Sequence, residues 1–239
     1  METAKASDVL ADRIRRSILD GTFEEGTVLP TERRLMEQTR LGRSTVREAL
    51  RMLQAEGLVS SRPGRKGGTV VRRPDVQGIA QSLEVFIRGR RIRFWSLLEA
   101  REALEPGCAS LAATNRTDAD LEVLDALDAR MNEPGIARAD YFAANVGWHV
   151  AVARASHNEL LTAYMVAISN VIEDALFAAQ TDSEAVRPAV LLAHRKILEA
   201  IHASDPEAAR RRMYRHMHAY REQAARLQPP AELPLSEGR

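Results

Sequence analysis

Between Arg43 and Arg72 the chain changes its hydrophobic period, and the change falls at a basic, glycine-rich loop. Val46, Ala49, Leu50 and Leu53 recur at three- and four-residue intervals, the stripe of an amphipathic helix that runs from about Arg43 to Ala55. Arg43, Arg47 and Arg51 follow one another every four residues on another face, with Ser44 beside them. Gly57 ends the helix. Leu58–Arg62 and Thr69–Arg72 then read as two short strands joined by Pro63-Gly-Arg-Lys-Gly-Gly68. Upstream, Val9, Leu10, Ile14 and Ile18 sit at helical spacing until Gly21, and Gly26–Pro30 reads as extended. Thr31 is an N-cap for a short helix, Glu32 to about Gln38, with Leu35 and Met36 available to pack. Helix, helix, turn, helix and a basic hairpin together describe a winged helix-turn-helix.

That arrangement carries a chemistry. The second helix of such a motif lies in the major groove of duplex DNA, with its N-terminal side chains at base edges. An arginine fork matches the two acceptors of guanine, or holds a phosphate. Glycines let the hairpin backbone approach phosphates, and Arg65 and Lys66 charge its tip. A lone run of arginines is usually a solvated helix face; here the flanking helix and hairpin argue for contact instead. Arg51 stays open between that role and pairing with Glu48 or Glu56.

Charge is distributed to match. Residues 41–73 hold eight Lys or Arg against two Glu, whereas residues 76–239 hold 19 basic and 22 acidic residues. A confined basic block on a slightly acidic body is the footprint of a local anionic contact. The 239 residues suit two domains, and an apolar content of 45% supplies ordinary cores. Cys108 is the single cysteine, so intramolecular disulfides are excluded and a reducing compartment is expected. The sequence shows no run of about 18 apolar residues and no signal-peptide pattern, so we expect a cytoplasmic protein that does not enter a membrane.

Past Pro74 strand-like alternation disappears. Helices are expected at about 77–88, 94–114, 118–132, 138–156, 158–181, 184–203 and 206–227, with Thr117 and Asp205 as N-caps and Pro206 at the first helical position. The fold expected is mostly α: an N-terminal winged helix-turn-helix and a C-terminal antiparallel bundle of six or seven helices. Expected domains are 1–73 for DNA binding, 74–77 as linker, 78–227 for effector binding and dimerisation, and 228–239 as a polar tail.

Within the bundle the histidines are the informative feature. Asn145 and His149 lie four residues apart on one helix and share a face, while His194 and His216 fall on two later helices. Four such groups from three helices can surround a divalent ion, since imidazole suits zinc, nickel, cobalt and manganese. A single histidine in a helix is more often a core or surface residue. Trp95 and Trp148 read as core anchors.

Several stretches resemble one family. Leu29-Pro-Thr-Glu-Arg33, Arg43-Ser-Thr-Val-Arg-Glu-Ala-Leu-Arg51, Glu56-Gly-Leu-Val59 and Pro63-Gly-Arg-Lys-Gly-Gly-Thr-Val70 are similar to the winged-helix signature of GntR bacterial regulators. Asn145-Val-Gly-Trp-His149, Ala155-Ser-His-Asn158, Ala193–Ile201 and Arg215-His216 resemble the ligand-binding domain of the FadR subfamily. The resemblance implies DNA contacts from Arg33, Arg43, Ser44, Thr45 and Arg47, and a wing of Gly64, Arg65, Lys66, Gly67 and Gly68. Gly42 departs from the Ser or Thr usual before the recognition helix; glycine still serves as N-cap.

In the family's metal-binding branch an acidic residue and three histidines hold the ion. Carried over, these are His149, His194 and His216, with Asn145 where Asp is usual, a neutral ligand that weakens the site. His157, His202 and His218 have no place in this pattern and read as structural or solvated. Arg101 matches a family arginine that points into the effector cavity, where it would pair with a carboxylate; the alternative is an exposed arginine bridged to Glu105 or Glu102. Asn170 and Glu173 are further candidates for the cavity lining. The implied protein is a homodimeric repressor that binds a two-fold symmetric DNA operator and is controlled by a small organic acid beside a divalent metal such as zinc or nickel. A metal-dependent enzyme is the competing class. Against it, no acidic residue follows a histidine in a zincin-like pair, His149 being followed by Val150, and no nucleophile motif appears.

Overall fold

The computed structural model describes residues 5–64, 68–179 and 186–227, leaving out the side chains of 170, 173–179, 226 and 227. It divides into two compact units, Met1–Gly78 and Ile79–Arg239.

In the first unit, helix α1 (Ala6–Leu19) buries Leu10, Ala11, Ile14 and Ile18 on one side. Val9, expected in that stripe, instead faces solvent, because the register of Leu10, Ile14 and Ile18 turns it away from the core. Helix α2 (Glu32–Thr39) starts where Thr31 accepts a hydrogen bond from the Arg34 amide. It ends at Arg40, whose left-handed backbone (φ 58°) turns the chain into the next helix. Helix α3 (Arg43–Ala55) presents Val46, Ala49, Leu50 and Leu53 to α1, α2 and the hairpin.

Strands β1 (Val59–Arg62) and β2 (Gly68–Val71) pair antiparallel, Val59 opposite Val71 and Arg62 opposite Gly68. The extended stretch before α2 joins the ladder. The Leu29 amide donates to the Thr69 carbonyl (2.8 Å) and the Val71 amide to that of Thr27 (2.9 Å). The hairpin needs glycine at both ends of its loop. Gly64 and Gly68 hold φ of 112° and 155°, and a Cβ at Gly68 would meet Val28 Cγ1 at 3.1 Å.

Among the described residues the regular elements of the second unit are all helices. Its helices are α4 (Val76–Gly89), α5 (Phe94–Asn115), α6 (Asp118–Met131), α7 (Arg138–Ala155), α8 (Glu159–Ala179), α9 (Arg187–His202) and α10 (Pro206–Leu227). Helix α5 packs against α7, α8, α9 and α10 and so runs through the middle of the bundle. Its alanine-rich second half, Ala109, Ala112 and Ala113, permits that close approach. The same helix buries three charged residues, Arg101, Glu102 and Glu105, which an apolar core tolerates only when they are paired.

Local sequence sets the helix starts. Thr117 and Asp120 form a reciprocal capping box at α6, Asn158 Oδ1 accepts from the Leu161 amide at α8, and Asp205 Oδ1 accepts from the Ala208 amide at α10. Arg116, at the end of α5, donates to the carbonyls of Ile201 and His202 and so satisfies the end of α9. Helix α9 is thereby anchored against α5, with His194 on the buried side between α7 and α10.

Candidate nucleic-acid interface and candidate metal centre

On the first unit, the N-terminal half of α3 presents a cationic face. Arg43 and Arg47, with side chains 73% and 51% exposed, lie one turn apart on a face beside the buried stripe of Val46, Ala49 and Leu50. Both point toward one carboxylate, Glu32 of α2: Arg43 Nε at 3.5 Å and Arg47 Nε at 3.6 Å. Glu32 lies in the motif read as the family signature, yet sequence reasoning gave it no role. It gathers two long side chains on one side of the helix, at a cost to each that solvent keeps small. Ser44 is exposed and Thr45 half-buried beside them. Arg33 projects from α2, 89% exposed and 3.9 Å from Glu37. Arg51 has no ion pair with Glu48 or Glu56 among those described; Glu56 is held instead by Arg15 of α1. Gly64 and Gly68 bound the wing loop, while Arg65, Lys66 and Gly67 lie outside the described residues.

On the second unit, α7, α9 and α10 bring His149, His194 and His216 together in the interior. One ring nitrogen from each lies within 4.8 Å of the others. His149 Nδ1 is 2.5 Å from Glu105 Oε2, and the ionised carboxylate makes that nitrogen the N–H donor, leaving Nε2 as a lone pair. His194 Nε2 faces His216 Nε2 at 3.0 Å, and Trp148 stacks on the His194 ring at 4.0 Å. Asn145, one turn before His149, lines the same cavity, about 60 Å³ and partly open to solvent, together with Arg101, Tyr220 and Gln223.

Burial governs the charge state of these groups. It lowers the pKa of all three imidazoles: His149 against the pull of Glu105, His194 well below its usual value, and His216 to about 3. Burial would by itself raise the Glu105 carboxyl, but Arg101 first and His149 next outweigh it and hold the group at about 2. Tyr220, half-buried beside them, is pushed up to about 12 by desolvation and keeps its proton. The result is an ionised Arg101–Glu105 pair and three neutral imidazoles.

Those donors fit a divalent ion. Two nitrogens each about 2.0–2.1 Å from one ion stand about 2.9 Å apart at a right angle and about 3.3 Å apart at a tetrahedral one, and the facing His194 and His216 nitrogens, at 3.0 Å, fall in that range. His194 Nδ1 and Trp148 Nε1 are buried with no hydrogen-bond partner among the described groups, and two facing Nε2 atoms can share only one proton. A metal would accept both lone pairs. His149, His194 and His216 would hold it, and the ion would supply a Lewis-acidic position for an oxygen ligand.

An imidazole kept neutral by the fold takes up a proton on unfolding once pH falls below its ordinary value of 6.5. For His216 the stabilisation is therefore complete above about pH 6.5 and is lost as pH falls toward 3, by roughly 1.4 kcal/mol per pH unit, and His149 and His194 act in the same direction. Urea denaturation of metal-free protein should show the midpoint falling between about pH 7.5 and about pH 5.5, and an unchanged midpoint would contradict three buried neutral histidines.

Other sequence candidates fall into place differently. Arg101 is neither exposed nor free to bridge an effector with its whole guanidinium: it is buried, and its Nε is taken by Glu105 while the group lines the cavity. Glu105, weighed from sequence only as a surface partner, is the hinge between that arginine and His149. Its spacing of four from Arg101 was the available signal. His157, His202 and His218 stand apart from the cluster, paired with Asp120, Asp125 and Glu102 respectively. Trp148 is fully buried, as expected of an anchor. The side chains of Asn170 and Glu173 lie outside the described residues. Among the described residues no helix is long and apolar enough to cross a membrane.

Known proteins share both halves. Residues 6–71 match the family described as bacterial regulatory proteins, gntR family, and residues 96–219 match the FCD domain. The chain is 34% identical over 222 residues to the Escherichia coli (strain K12) protein described as an L-lactate dehydrogenase operon regulatory protein, covering 89% of this chain and 84% of the relative. It is 34% identical over 212 residues to the HTH-type transcriptional regulator LutR of Bacillus subtilis (strain 168), covering 84% of this chain and 92% of the relative. The solved structure of Streptococcus agalactiae GntR superposes with a TM-score of 0.65 at 27% identity, over 91% of this chain and all of that one.

Proposed function

The chain belongs to the GntR family of bacterial regulators and carries the FCD domain of the FadR type, and from that membership we propose that it is a metabolite-controlled repressor. It is a transcriptional regulator and not an enzyme, as are the relatives it matches over most of their length. The finer reading has a homodimer holding a two-fold symmetric operator through Arg33, Arg43, Ser44, Thr45, Arg47 and the wing from Gly64 to Gly68. Acting on the chromosome places it in the cytoplasm. The effector is a small carboxylate bound beside a divalent ion on His149, His194, His216 and Asn145.

One observation carries the sensing half: a buried guanidinium and three neutral imidazoles line or border a single cavity in the bundle. A carboxylate satisfies both kinds of partner, through charge-assisted hydrogen bonds and through coordination. L-lactate is the first candidate, because one relative is described as regulating an L-lactate dehydrogenase operon. To regulate, the effector must bind one arrangement of the dimer better than the other, and its differential affinity limits the effect on DNA.

Thermal denaturation with a panel of small organic acids, each with and without zinc, tests this. A ligand at a hundred times its dissociation constant should stabilise the protein by about 2.7 kcal/mol, and the same acid should weaken operator binding. If no acid shifts the transition with or without metal, the bundle is only a structural dimeriser.

A further inference from the structure

We infer that this metal site is closed by its effector: the three histidines and Asn145 bind a divalent ion tightly only when a carboxylate binds with it. This rests on the metal-and-carboxylate reading above and adds the order of dependence between the two ligands. The donor set contains no anion. His149, His194 and His216 are neutral imidazoles, and Asn145, the fourth donor at the cavity, is a neutral carboxamide. Tyr220 and Gln223 add a phenol and a second carboxamide to the described lining, and Arg101 adds a positive charge. Glu105 stands behind His149, but its single negative charge is already matched by Arg101 in an ion pair. Among the described residues the cluster without metal is electrically balanced, and a divalent ion leaves it two charges in excess.

Burying that excess is costly unless a counter-charge enters with it. The neighbouring wall offers none. The groove between α9 and α10, which shares Val190, His216 and Tyr220 with the cavity, is lined by Lys196, Arg212 and Arg215. Arg212 is paired with Glu199, and Lys196 and Arg215 raise the potential at the mouth and favour the arrival of an anion. A carboxylate seated between the ion and Arg101 supplies the missing charge and gives the guanidinium a second partner. Metal and carboxylate then strengthen one another's binding by the same factor.

The test is zinc affinity of the metal-stripped full-length protein, measured against a fluorescent competitor in perchlorate buffer, with and without acetate or L-lactate. Carboxylate should tighten zinc binding by about ten- to a hundredfold. Asn145→Asp places a fixed anion at the site, and should bind zinc at least about tenfold more tightly than wild type without any carboxylate, with the carboxylate effect largely gone. Asn145→Ala leaves the charge balance unchanged and should keep the dependence, which guards against an Asp variant that fails to fold. Zinc bound equally well with and without carboxylate, no tighter in Asn145→Asp, and lost in His194→Ala overturns the coupling while leaving the metal site standing. Zinc bound by neither wild type nor Asn145→Asp overturns both.

Discussion

Replacing Arg43 and Arg47 together with alanine should remove the preference for operator over random DNA while leaving the fold intact. Each arginine that pairs with a base edge contributes about 1–3 kcal/mol of discrimination, so the pair is expected to cost roughly 2–6 kcal/mol of specific binding, some thirtyfold at the least. Both side chains lie mostly in solvent, outside the buried stripe of Val46, Ala49 and Leu50. Their removal should change stability by no more than about 0.5 kcal/mol. The measurement is a salt series of binding to DNA upstream of the protein's own gene and to a scrambled duplex of equal length. Specific affinity should collapse toward the non-specific value, and the slope of log affinity against log salt should shallow by about one for each phosphate that is no longer neutralised. Selectivity retained in the double variant would overturn the assignment of α3 as the reading helix. Glu32, which both arginines share, should matter far less, because an exposed pair at 3.5 Å is worth under about 1 kcal/mol.

The second large effect is on stability. Glu105→Ala should destabilise the second unit by about 3–5 kcal/mol, because it strands the buried Arg101 guanidinium and removes the acceptor for His149 Nδ1. Adding Arg101→Met should recover part of the loss, since an apolar side chain of similar length has no charge to leave unpaired. The cycle is read from urea midpoints at constant slope. A loss under about 1 kcal/mol in Glu105→Ala would mean the pair is solvated. The carboxyl also has its own pH signature. Held at about 2 in the fold against an ordinary 4.5, it contributes stability that is complete above about pH 4.5 and is lost as pH falls toward 2. Its loss sets in near pH 4.5, below the onset near pH 6.5 for the histidines, and the two contributions overlap under pH 4.5.

Much of this was legible one residue at a time. The stripe of Val46, Ala49, Leu50 and Leu53 gave α3 its buried face and Gly57 its end, and Thr117 and Asp205 marked helix starts that the structure places where they stood. His149, His194 and His216 could be nominated from their helices and from the family resemblance. Val9 marks the limit at the level of the helix. A stripe says which residues can face a core, and the packing of α1 decided that Leu10 does and Val9 does not.

What the sequence by itself determined is whatever depends on neighbours within about one turn: helix, cap, hairpin, the cationic face of α3, and the order of a winged helix followed by a helical bundle. These follow from local periodicity and from side chains that reach their own backbone. Only the tertiary structure decided what depends on residues far apart in the chain. It placed Glu105, which lies 44 residues from His149, against that ring's Nδ1, and set His194 Nε2 facing His216 Nε2 at 3.0 Å. It also gave both recognition arginines the same carboxylate. Charge and burial are properties of a place, and several helices must pack before that place exists.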